Sequence, residues 1–210
     1  MRERKQKTVA AATGTRQDYR VPDDPRAAGA ALTLCSSFLA LQQFVEAKNG
    51  PGAYHRLRDV LASRHGLHLP PVIEPGSWLP TQAFVTGMDV AKDLFGPADF
   101  HERFGAARAD FEIKWVLRIV LKFTSPVWVL ERGADMWRQM HNTGTWEIVG
   151  HTRWLRGTLR DFAVVNKGYC ASLRAWLTRA GQHTGATSLQ VVERECRTRG
   201  AAACVFEGHW

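Results

Sequence analysis

The hydrophobic pattern changes period partway along the chain, and that change limits the folds open to it. Before Asn142-Thr143-Gly144 apolar residues recur every three or four positions, and after it two stretches alternate. The first spacing lays apolar residues along one stripe of a helix; the second puts them on one face of a strand. From about Leu32, Leu34, Phe38, Leu41, Phe44 and Val45 predict a helix that Asn49-Gly50-Pro51-Gly52 ends. A second helix is predicted over Ala53–Arg64, with Gly66 as its stop, and a third over Thr81–Phe95, closed by Gly96-Pro97. A long helical stretch, Phe100–Phe123, is expected to break near Gly105. Ser125-Pro126 then opens a helix over Val127–His141, with Pro at its first position. Thr145–Thr152 and Trp154–Phe162 predict two strands around a turn near Gly150–Arg153. A helix over Lys167–Arg179, capped at Gly181, leads to a last hairpin of Ser188–Cys196 and Ala203–Phe206. Helices first, then hairpin, helix and hairpin, give an α+β class with an antiparallel sheet packed by helices on one side.

Residues 1–29 mix charge, small residues and prolines with little periodicity, and read as a flexible basic tail; 30–210 reads as a single domain. A chain of 210 residues, 45% hydrophobic with eight Trp, has ample material for one core. No apolar run reaches the roughly 18–20 residues of a membrane span. The charged start lacks the apolar segment of a secretory signal, so the cytoplasm is the expected compartment. The net charge is +8, but the Arg residues are scattered among acids. That pattern describes a solvated surface, and nucleic acid is not an expected partner.

The chemistry-bearing residues gather near the C-terminus. Glu193, Cys196 and Cys204 form an E-x2-C-x7-C pattern across the last turn, and Cys170 lies on the helix just before. Thiolates are soft ligands suited to Zn²⁺, and one carboxylate completes a tetrahedron. Arg194, Arg197 and Arg199 would offset the negative charge of such a set. Glu193 and Cys196 are three apart, so a regular strand would point them to opposite faces. A bulge or strand end at Arg194–Glu195 is therefore required, and Glu195 is the weaker choice of carboxylate. Two other readings stand beside the metal: ordinary buried cysteines, and a Cys196–Cys204 disulfide.

The segment from Trp146 to the C-terminus resembles the V4R (4-vinyl-reductase-like) domain family. It is most similar to the ligand-sensing domain of phenol-responsive activators. There a helical Cys and a Glu-x2-Cys-x7-Cys hairpin hold one zinc, and the interval from Cys170 to Glu193 here is the same. The resemblance implies structural Zn²⁺ on Cys170, Glu193, Cys196 and Cys204. It also implies a V4R/Bet3-like fold, helices on a twisted antiparallel sheet, usually a homodimer, with an apolar cavity between helices and sheet. Phe111, Trp115, Trp128, Trp137, Trp146 and Trp154 are the aromatic material for such a cavity, or for an ordinary core. The phenol sensors hold the ligand hydroxyl with a Trp and a His; Trp146, with His141 or His151, are the candidates here. The stretch from Phe38-Leu-Ala-Leu to Ala53-Tyr54-His55 also resembles helix starts in haem-nitric-oxide-binding and V4R-like proteins. The Tyr-x-Ser-x-Arg motif of haem nitric-oxide sensors is absent, so haem is not expected.

The expected function is a zinc-stabilised, non-enzymatic sensor that binds a small hydrophobic or aromatic molecule. The chain ends without the ATPase and DNA-binding domains of the phenol activators, so signalling through a protein partner is expected. The alternative is a dimeric scaffold with no small ligand and a docking tail. An enzyme ranks last, because no nucleophile elbow, Walker loop or dinucleotide fingerprint is present.

Overall fold

The computed structural model of the protein describes residues 29–113, 126–151 and 153–210. Two short strands open it: β1 (Leu32–Leu34) pairs antiparallel with β2 (Trp78–Pro80), with Thr33 opposite Leu79. Between and after them run α1 (Cys35–Asn49), α2 (Ala53–His65), α3 (Thr81–Phe95) and α4 (Phe100–Glu112). Then follow α5 (Pro126–Met140), β3 (Thr145–His151), β4 (Trp154–Arg160), α6 (Lys167–Gln182), β5 (Gln190–Glu195) and β6 (Cys204–His209). The chain is thus α+β, with antiparallel pairing throughout.

β2 is not among the expected strands, and the expected Phe100–Phe123 stretch is helical to Glu112, with 114–123 outside the described residues. Three further differences each have a local reason. Leu34 is extended backbone at the end of β1, and α1 starts one residue later. Three residues of strand leave no alternation visible beside a helical stripe. Gly105 does not break α4. It lies where α4 crosses α6, and a Cβ there would fall 2.0 Å from the Ser172 carbonyl oxygen, so Gly lets the two backbones touch. Gly181 is not a cap; α6 runs on to Gln182, and Gly181 packs under Leu189.

The main sheet has the order β3-β4-β6-β5. Trp146, Leu159 and Cys204 form one row across it, and Ile148, Gly157, Phe206 and Glu193 form the next. That face turns inward, and Arg156, Arg160 and Glu195 belong to the other. Gly157 leaves room for the Trp146 ring, which a Cβ would meet at 2.7 Å. α5 packs on β3, and α6 packs on β5 and β6. α6 also packs closely along α4, and α1, α3 and α4 close the helical side. The core between helices is aromatic: Phe38, Phe84, Phe104 and Tyr169 are fully buried and in edge or tilted contact. Each such side chain contributes about 1.5–3 kcal/mol by leaving water.

Candidate functional site

Two side-chain groups stand out, both positioned by α6. Asn166 caps this helix by accepting from the Tyr169 N–H at 2.7 Å, and its amide donates to Asp89 on α3 at 2.8 Å. His101 of α4 contacts the same carboxylate at 2.9 Å. Burial opposes ionisation of Asp89, but the hydrogen bonds from His101 and Asn166 outweigh it and hold its carboxyl below the usual range. The start of α6 is thereby fixed, and with it Tyr169 and Cys170.

The first group is a file of polar side chains through the core. Thr81 and Thr33 are hydroxyl to hydroxyl at 3.0 Å, and Thr33 Oγ1 lies 3.0 Å from His141 Nδ1. His141 Nε2 lies 3.3 Å from the Tyr169 hydroxyl. Asn142, next in the chain, accepts from the Leu32 N–H at 2.6 Å and donates to the Ala30 carbonyl at 2.7 Å. The corner after α5 is in this way latched to β1. His141 is only 3% exposed. Burial, with the nearby Arg108 cation, drives its pKa down to about 3, so the ring is neutral. Close by, Arg108 Nε stands 3.5 Å from Glu112 Oε2, both side chains buried. Glu112 also accepts from Ser37 at 3.1 Å and Trp176 at 2.8 Å.

Around His141 lies an aromatic seam between helix and sheet. Trp137 of α5 stacks on Trp146 of β3, centroids 5.9 Å apart and planes 15° apart. Trp137 covers His141 at 4.3 Å, and Phe162 meets both rings edge-on. Of the residues the sequence proposed for a ligand cavity, the structure brings together Trp137, His141 and Trp146. Phe111 is half-exposed in an open groove of about 400 Å³ between α1 and α4, beside Leu39 and Glu46. Trp154 stacks on His151 at the far end of the β3–β4 hairpin. Trp115 lies outside the described residues, as does the side chain of Trp128. Thr33, Phe162 and Tyr169 had no signal in the sequence: Thr33 stood inside an expected helix, and Tyr169 was one more apolar-face residue.

The second group is the thiol cluster. One ligand atom each from Cys170, Glu193, Cys196 and Cys204 lies within 4.8 Å of the others. The sulfurs of Cys204 and Cys196 are each 3.7 Å from that of Cys170. That is close to the spacing of thiolates around one tetrahedral cation with metal–sulfur bonds of about 2.3 Å. The bulge falls between Glu193 and Glu195. It leaves Glu193 on the inward face and Glu195 on the outer one. Glu193 Oε2 accepts from Arg199 at 3.0 Å, while its Oε1 is buried without a hydrogen-bond partner. Cys204 is the acidic thiol: a hydrogen bond from Cys170, aided by the Arg197 N–H, draws it down to about 6. The same contact, with burial, holds the Cys170 thiol well above its ordinary value. All four cysteines are free thiols, so the Cys196–Cys204 disulfide is not formed.

No protein-family model matches this chain, and no curated protein matches it in sequence. Solved structures do match in fold. An H-NOX protein of S. oneidensis in its Fe(II)NO state is 16% identical, with a TM-score of 0.57 over 83% of this chain and 97% of that one. The Fe(II) unliganded H-NOX protein of K. algicida is 9% identical, with a TM-score of 0.61 over 82% and 94%. H-NOX from Shewanella woodyi, bound to IWP-051 in its Fe(II)CO state, is 11% identical, with a TM-score of 0.52 over 82% and 92%. At these identities the likeness shows the fold.

The comparisons correct two expectations. The fold is similar to H-NOX and is not V4R/Bet3-like. The V4R reading rested on a helix and a hairpin carrying ligands at its turn. Such a local unit does not specify how the preceding helices are arranged. The assignment of Zn²⁺ falls with it: H-NOX structures that match are described in Fe(II) states.

Proposed function

We propose that this chain is a non-enzymatic sensor module that receives a small apolar or aromatic molecule at the seam between α5 and the β3–β4 hairpin and passes the event to a protein partner. The observation that carries this reading is the Trp137–Trp146 stack, one ring from the helix and one from the sheet. A flat molecule beside that stack alters how α5 sits on β3, and α5 is latched through His141 and Asn142 to the helical side. Proteins of the same fold are described with CO, NO or IWP-051 bound, which supports small-molecule reception by this architecture. The expected homodimer is part of the proposal. Among the described residues no helix is long and apolar enough to cross a membrane. Native mass spectrometry with a panel of phenols and indoles tests the reading. A one-to-one adduct that weakens in Trp146→Ala supports it; no adduct with any of them removes it.

Within this reading, Cys170, Glu193, Cys196 and Cys204 form the ligand set for one thiophilic cation that fastens α6 to the last hairpin. The support is the partnerless inward oxygen of Glu193 facing three converging sulfurs.

A further inference from the structure

We infer that the Thr33–His141–Tyr169 chain closes, with this protein's own hydroxyls, the place where an iron porphyrin would have to be ligated, and that this H-NOX-like fold works without one. The inference rests on the likeness of fold and not on the sensor reading.

An iron porphyrin is held through an axial side chain, most often the imidazole of a His in a sensor or globin, with the macrocycle edge-on to that ring. His101 and His141 are the buried histidines among the described residues, and no His occurs between them in the sequence. No imidazole can therefore come from α5 or from the segment that leads into it. His101 has its Nε2 on Asp89 and lies against Gly168, so both its donor atom and its surroundings are committed to the start of α6.

His141 is the better placed of the two, and both of its nitrogens are engaged. Iron at Nε2 would occupy the position of Tyr169, which is 1% exposed, stacked on Phe162 at 4.9 Å and edge-on to Phe84 at 6.4 Å. Iron at Nδ1 would displace Thr33, which is held by Thr81 and by the β1–β2 pairing. Either displacement strands a buried hydroxyl. The flat sides of His141 are no more open, since Trp137 covers one and Phe162 closes in edge-on. The buried cation near this place, Arg108, is already faced by Glu112 at 3.5 Å. The donor set agrees: both nitrogens of His141 are met by this chain's own hydroxyls.

The test is a hemin titration of the full chain, read by visible absorption before and after reduction and again under carbon monoxide. The chain should show no saturable one-to-one Soret band and no shift of such a band with carbon monoxide. Tyr169→Ala, checked for folding by circular dichroism, removes the side chain that closes Nε2 and is expected to bind hemin more tightly than the parent. A saturable one-to-one band in the parent that shifts with carbon monoxide would overturn the inference, whichever residue ligates the iron. It would leave the mass-spectrometric test of the sensor reading untouched.

Discussion

His141 Nε2 and the Tyr169 hydroxyl meet at 3.3 Å in the middle of the molecule and tie the end of α5 to α6. With Thr33 on the other nitrogen, the ring bridges β1 and both helices. Tyr169→Phe would leave that nitrogen buried without its partner, at a cost of about 1–3 kcal/mol of unfolding free energy in urea titrations.

The same ring sets a pH dependence. Its folded-state pKa is lowered to about 3, against roughly 6.5 in the unfolded chain. Its full contribution to stability is thus present above about pH 6.5 and declines on acidification, because the unfolded chain takes up a proton that the folded chain refuses. The decline approaches about 1.4 kcal/mol per pH unit down toward pH 3. His141→Gln flattens that slope, so parent and variant should converge as the pH falls. Urea unfolding at a series of pH values measures it.

Arg108 and Glu112 are an ion pair taken out of water. Arg108→Met leaves a buried carboxylate whose neutral form burial already favours, and should cost about 3–5 kcal/mol. The double variant Arg108→Met/Glu112→Leu should recover most of this, since no charge is left stranded. A double-mutant cycle in denaturant decides.

At Gly105 the constraint is steric. Gly105→Ala drives a methyl group into the Ser172 carbonyl oxygen and must push α4 off α6. A loss of roughly 3 kcal/mol is expected, at the upper end of ordinary overpacking, read as a lower Tm.

Cobalt(II) is a direct probe of the thiol cluster. The parent should take up one equivalent and show sulfur-to-metal charge-transfer and tetrahedral d–d bands. Cys204→Ser should lose about a third of the charge-transfer intensity, one thiolate of three, and Glu193→Gln should keep it while binding more weakly. A parent without such bands would remove the cluster as a cation site.

Much of this site was legible in the sequence, but unevenly. A bulge or strand end beside Glu193 followed from strand alternation once Glu193 and Cys196 were taken to face one site, and the structure has the bulge. The hairpins and most helices followed from period, to within a few residues at each end; of the expected Phe100–Phe123 stretch, the helix is described to Glu112 and 114–123 lie outside the described residues. What period cannot carry is the pairing of distant polar groups. Thr33 and His141 lie 108 positions apart and meet through a three-residue strand with no signature of its own. Gly105 looked like a helix breaker because a close helix crossing and a break ask for the same residue. The resemblance to V4R proteins misled for a related reason, since a local ligand pattern says nothing about the rest of the chain.

His141 is a neutral, doubly hydrogen-bonded imidazole that holds the core together and accepts neither a proton nor iron. Nitrogen-15 NMR of its ring tests this most directly, recorded from about pH 7 to about pH 4 and again with equimolar hemin. The shifts should be those of a neutral ring and should stay in place throughout. A ring that titrates near its ordinary value, or whose signals vanish on addition of hemin, would contradict it.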